Sequence, residues 1–146
     1  MQQEKGIENS IVFDIVNAIC LRDKGLHKRV IKIMEPHLES VKNASGQKRE
    51  GTACGILSCA YQDEQHYNKA IKVSNRRLLI AKETFDKCRE SAALCNLGSC
   101  HTHLGQHEKA LNYLEQDLES HGNWVMWKGR EQHWVIGNKT SMRRYA

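Results

Sequence analysis

The stretch NLGSCHTHLGQHEKALNYLEQDLE, Asn96 to Glu119, reads as the end of one helix, a break at Gly105 and a second helix. Leu94, Leu97 and Leu104, then Ala110, Leu111, Leu114 and Leu118, recur at three, four and seven residues, which paints one apolar stripe on each helix. Gly105 supplies the left-handed backbone that ends the first helix and reverses the chain. A hairpin this short cannot bury both stripes by itself, so it must stack on something. Whether its partners are copies of itself decides the fold.

They are. Sliding the stretch back by 40 residues meets GILSCAYQDEQHYNKAIKVSNRRLLIAKE, and by 80 meets IVNAICLRDKGLHKRVIKIMEPHLES. The basic residue ahead of the second helix's small residue is Arg29, Lys69, Lys109, and the small residue itself is Val30, Ala70, Ala110. Ile31, Ile71, Leu111 follow, and then Leu38, Leu78, Leu118. The break holds Gly25, Gln65, Gly105, and a small residue in the first helix is Cys20, Ala60, Cys100. Each unit therefore parses as helix A, a turn and helix B. Helix A runs roughly over Ser10 to Arg22, Lys48 to Gln62 and Cys88 to His103; helix B over His27 to Val41, His66 to Lys82 and His107 to Ser120. Pro36 falls inside the first helix B, where it costs about 3 kcal/mol or forces a kink.

Composition agrees with an all-α chain. There are ten Gly and one Pro in 146 residues, and strand-like alternation is nearly absent. No run approaches the roughly 18 apolar residues that span a bilayer, and MQQEKGIENS has no apolar export signal, so a cytoplasmic protein is expected. Its six cysteines are then thiols. Of the net charge of +5, Lys128, Arg130, Lys139, Arg143 and Arg144 against Glu131 place +4 beyond residue 123, which leaves the body without a nucleic-acid footprint.

Asn96-Leu97-Gly98 with Leu104-Gly105-Gln106-His107-Glu108-Lys109-Ala110-Leu111 resembles a tetratricopeptide repeat. The usual unit is about 34 residues. Here the period is 40, and with Arg77 to Glu83, Asp86 and Glu90 ahead of Asn96, it is similar to the long-repeat subtype of the Leu-Gly-Asn-repeat, Partner-of-Inscuteable type G-protein signalling modulators. The resemblance implies a right-handed solenoid of antiparallel helix pairs, with three repeats at about 10–46, 47–86 and 87–122. It also implies a non-enzymatic scaffold or adaptor that binds a peptide segment of a partner, of the signalling or polarity kind, in the concave groove of the A helices.

By the family pattern, that groove exposes Ala92, Cys95, Asn96, Ser99, Thr102 and His103, and Thr52, Gly55, Ile56, Cys59, Gln62 and Asp63. The peptide-binding set expected from it is Asn96, Ser99, Thr102, His103, Gln62, Asp63 and Cys59, because amides and hydroxyls can bond both C=O and N–H of an extended chain. Repeats that clamp a chaperone's terminal carboxylate use Lys, Arg and Asn there, whereas Ala92, Cys59 and Ser99 offer no charge. The alternative is a structural fragment of a larger array with no ligand of its own.

Other chemistry is weakly coded. Cys95, Cys100, His101, His103 and His107 are donors that zinc accepts, yet His101 shares a packing column with Leu21 and Tyr61, and Cys100 a small-residue column. His101 is therefore expected in the core. No metal, cofactor, paired carboxylates, phosphate loop or triad is expected. Without a polar capping helix the last helix B keeps an apolar side uncovered, so self-association through that end repeat is expected. The stretch GNWVMWKGREQHWVIGNKTSMRRYA drops every repeat column. Shifting the reading frame of WVMWKGREQHWVI permits G-D-V-E-x-x-x-[TA]-[TA]-L-G-N, in register 40 residues after Phe85-Asp86 to Asn96, so residues 123–146 read as an irregular basic tail and a frameshifted fourth repeat.

Overall fold

The computed structural model describes residues 2–44, 46–121, 125–128 and 134–137. Six helices follow one another: α1 Gln2–Asp23, α2 His27–Ala44, α3 Gln47–Asp63, α4 Tyr67–Glu83, α5 Lys87–His103 and α6 His107–His121. The second helices start at residues 27, 67 and 107, and α3 and α5 at 47 and 87, so the helices keep the period read from the sequence. Only α1 departs clearly from expectation. It begins at Gln2 instead of near Ser10, since Gly6 is the sole poor helix former in the segment ahead of Ser10.

The turns repeat too. Gly25, Gln65 and Gly105 sit at φ 72°, 61° and 73°. At each, two backbone bonds close the helix: Gly25 N–H to Arg22 C=O and Leu26 N–H to Leu21 C=O, with the same pattern from Gln65 and His66 and from Gly105 and Gln106. This is the Schellman arrangement, which satisfies carbonyls a helix end would orphan. Phe85 repeats it after α4 at φ 54°. Asp86 then caps α5, accepting a 3.1 Å bond from the Arg89 backbone N–H. Pro36 is exposed, and α2 is continuous through it.

Each helix packs on its neighbour in sequence, and alternate helices differ in a way that sets the shape. The A helices touch, α1 against α3 and α3 against α5, whereas no B helix touches the next. The touching row is the inner, shorter row of the stack. Between the rows lies the core: Ala18, Val30, Met34, Leu38, Val41, Ala53, Cys54, Leu57, Ala60 and Ala70 in one continuous cluster, and Leu78, Ala93, Leu94 and Leu97 in a second. Volumes compensate column by column. Gly98 faces Leu114, at 3.5 Å from where a Cβ would stand, while Ser58 meets Ser74 through a buried hydroxyl–hydroxyl bond.

Both ends of the stack carry apolar surface. Leu111 is 44% exposed where its equivalents Ile31 and Ile71 pack against the core. The sequence reading placed an open face only there, but α1 carries a wider one: Val12, Phe13 and Val16 are 58%, 69% and 54% exposed. Past the solenoid, Val125–Lys128 and Trp134–Gly137 pair antiparallel, Val125 opposite Gly137 and Lys128 opposite Trp134. The rest of the expected fourth-repeat segment lies outside the described residues.

Candidate functional site

The inner wall is built from α3 and α5, and the expected groove residues fall along it unevenly. Cys59, Gln62, Asn96 and Ser99 are half-buried; Asp63, Thr102 and His103 are exposed. Several are already engaged. Gln62 Nε2 lies 3.4 Å from Ser58 Oγ, Thr102 Oγ1 donates to Gly98 C=O at 2.8 Å, and His103 Nδ1 lies 2.8 Å from Ser99 C=O. The His103 ring also stacks on Tyr67, centroids 4.8 Å apart, which ties the end of α5 to the start of α4. Asp63 Oδ2 is 3.2 Å from His27 Nδ1. Asn96 occupies the α5 column that Ile56 holds in α3.

Two residues expected as open groove positions are not open. Ile56 is buried in the core cluster. Gly55 is buried because the Arg77 side chain lies on it: a Cβ at Gly55 would meet Arg77 Cζ at 2.8 Å and Nε at 3.0 Å. Arg77 comes from α4, so a helix-B side chain reaches the seam between the A helices. One turn earlier, Arg89 passes Gly51 at ordinary contact distance, its Nη1 3.6 Å from where a Cβ would stand, and donates to Lys48 C=O at 3.0 Å. Of the two glycines in α3, Gly55 is the one whose missing side chain admits a guanidinium, at a helix-propensity cost of about 1 kcal/mol.

The two cations are not equivalent. Arg89 has Asp86, Nε to Oδ2 at 3.4 Å. Arg77 is half-buried, and its buried Nε has no hydrogen-bond partner among the described residues. Burial lowers its pKa from the usual arginine range, and the like charge of Arg89 pushes the same way. Sequence reasoning missed Arg77 because its column reads His37, Arg77, Asp117, with no shared residue type. The signal that could have found it is Gly55, a glycine inside a helix.

On the opposite, outer face, the separation of α2 and α4 leaves a cleft of about 1100 Å³ floored by Cys54, Leu57 and Tyr61 of α3. Several of its polar groups are paired, while Lys69 and Lys72 line it as well. Arg76 holds Glu50 through two bonds, 2.6 and 2.9 Å; Tyr61 OH donates to Glu35; Lys42 pairs with Glu39 at 2.9 Å. The Arg76 hydrogen bonds keep the buried Glu50 carboxyl below its ordinary pKa, and burial with the Glu35 contact pushes Tyr61 up.

Burial pushes the Cys54 and Cys100 thiols up to about 11 and raises Cys95, so all three stay protonated at neutral pH and are poor nucleophiles. His101 is buried as expected, its Nδ1 2.6 Å from Gln106 Oε1 and its ring stacked on Tyr113. Among the described residues no three His, Cys, Asp or Glu side chains gather as a metal site would need, and no helix is long and apolar enough to cross a membrane.

Comparison with known proteins agrees with this architecture. Residues 91–119 match the sequence model of the tetratricopeptide repeat. The human SH3 domain and tetratricopeptide repeat-containing protein 2 is 32% identical over 89 residues, 61% of this chain; the chain spans 7% of that relative's length. Among solved structures, the tetratricopeptide-repeat domain of Arabidopsis FLU superposes with a TM-score of 0.71 at 18% identity, covering 77% of this chain and 94% of that one. A Podosopora anserina putative kinesin light chain with nearly identical tetratricopeptide-like repeats gives 0.65 at 16% identity, covering 85% and 59%. The solenoid has the tetratricopeptide-repeat fold.

Proposed function

We propose that this chain is a non-enzymatic interaction scaffold of the long-repeat kind, cytoplasmic, which holds a segment of a partner protein against the inner row of helices. The observation that supports the reading is the contrast between the rows: the A helices come together while the B helices do not, and Cys59, Gln62, Asn96 and Ser99 of α3 and α5 are half-buried. Half-buried amides and hydroxyls of that kind bond a peptide backbone at little conformational cost, since their own side chains are already partly fixed. Thr102, His103 and Asp63 extend the surface toward the C-terminal ends of α3 and α5. The resemblance to Partner-of-Inscuteable type modulators makes signalling or polarity proteins the first partners to try.

The test is capture from a peptide array by the 146-residue chain and by the double variant Gln62→Ala, Asn96→Ala. Neither side chain belongs to the apolar core clusters, so the variant is expected to fold and to lose most of the captured peptides. Equal capture by both proteins would remove the inner wall as the binding site.

A second reading, a structural portion of a larger array, is favoured by the uncovered apolar faces of α1 and α6 and by the much greater length of the human relative. A chain that captures no peptide yet associates through those faces would support it.

A further inference from the structure

We infer that Arg77 is the specificity determinant of the inner wall, and that it reads a carboxylate of the bound segment. The inference rests on the peptide-groove reading above and sharpens it to acidic segments. Its basis is an asymmetry among the arginines of the second repeat and its border. Arg76 is spent on Glu50 through a two-pronged bond, and Arg89 on Asp86 and on the Lys48 carbonyl. Arg77 has no such carboxylate. Its Nε is buried without a partner among the described residues; Arg89 repels it, and Asp86, the carboxylate that acts on it, is already paired with Arg89.

Holding it there is costly twice over. A half-buried guanidinium gives up hydration without an ion pair to offset the loss, and it keeps this place only while α3 carries glycine at 55, since a Cβ there would push it aside. The equivalent positions in the other repeats show that the column does not demand a cation: His37 and Asp117 stand there, one 3.2 Å from Asp14, the other 3.7 Å from Cys95 Sγ. A partner's carboxylate would supply what is missing. Arg presents a planar fork matched to two carboxylate oxygens, and its partial burial against α3 strengthens such a pair. Asn96 of α5, half-buried, carries an amide able to hold the adjoining peptide backbone. The absence of charge among the helix-A groove residues Ala92, Cys59 and Ser99 is thereby compensated from behind, by helix B.

The experiment uses an array of twelve-residue peptides in matched sets: one residue varied through Asp, Asn, Glu and Gln, and each peptide synthesised with a free or an amidated C-terminus. It is probed with the wild-type chain, Arg77→Met, Gly55→Ala and Asn96→Ala. Arg77→Met keeps the packing volume and removes the charge; Gly55→Ala keeps the charge and displaces the guanidinium. Wild type is expected to prefer Asp or Glu over the matched amide at least tenfold at one position, and both Arg77→Met and Gly55→Ala to erase that preference while remaining helical by circular dichroism. A preference that tracks the free C-terminus instead of a side chain assigns the carboxylate to the chain end and still supports Arg77. Peptides captured by wild type and lost in Asn96→Ala, with no acidic preference, would overturn the role of Arg77 and leave the groove standing. Capture of no peptide at all would overturn both.

Discussion

At the scale of single residues, the structure is governed by a few positions where backbone or charge is held against its preference. Gln65 and Phe85 sit at positive φ, where a side chain costs of order 1 kcal/mol and glycine nothing. The other two repeats place Gly25 and Gly105 at the position of Gln65. Gln65→Gly is therefore expected to stabilise the chain by about 0.5–1 kcal/mol, read as a rise of about 2–4 °C in the melting midpoint. No change, or a fall, would mean that Gln65 makes a compensating contact. Glu50 works the other way. Its carboxylate is buried and bonded twice to Arg76, so Glu50→Gln is expected to cost about 1.5–3 kcal/mol in a denaturant titration. Because the folded-state pKa lies below the ordinary value of 4.5, this stabilisation is complete above the ordinary carboxylate range and is lost as pH falls through the lowered value. Acid unfolding of the wild type should accordingly be steeper than that of Glu50→Gln. The break column, the aliphatic columns and the burial of His101 were legible in the sequence because each rests on local chemistry repeated at a fixed spacing. Arg77 was not, since its importance comes from what fails to pair with it across three helices.

At the scale of helices, the repeat of turn chemistry explains why element boundaries could be read closely while individual exposures could not. The Schellman closures at three A-to-B turns depend on one left-handed residue each, and two of those residues are glycine. Whether Gly55 and Ile56 face solvent depends instead on which side chains of neighbouring helices arrive over them, Arg77 over Gly55 and the first-repeat cluster over Ile56, and periodicity carries no record of that. Pro36 is the sharpest local conflict. It lies within α2 and removes the bond its N–H would give to the Lys32 carbonyl, while its ring stays exposed. Pro36→Ala is expected to raise stability by up to about 3 kcal/mol. A melting midpoint unchanged by that substitution would mean that α2 has accommodated the proline fully.

At the scale of the whole molecule, stacking leaves two apolar ends and two faces of different character. Phe13 and Val16 of α1 occupy the columns that Ala53 and Ala93, and Ile56 and Asn96, fill where a preceding repeat covers them. Sedimentation velocity across a concentration series is expected to show association of the wild type and a monomer for Phe13→Lys with Val16→Lys, the helical content unchanged. Monomeric wild type at high concentration would refute a role for that face. In the outer cleft Glu50 is held by Arg76 and Glu39 by Lys42, while Lys69 and Lys72 also line it; at the inner wall the buried Nε of Arg77 has no hydrogen-bond partner among the described residues. The most direct measurement of which face binds is site-specific photo-cross-linking, with the reactive residue placed at Thr102 on the inner wall or at Lys72 in the outer cleft, and a peptide selected by the wild-type chain as probe. The inner-wall reading predicts cross-linking from Thr102 and none above background from Lys72; efficient cross-linking from Lys72 alone would contradict it.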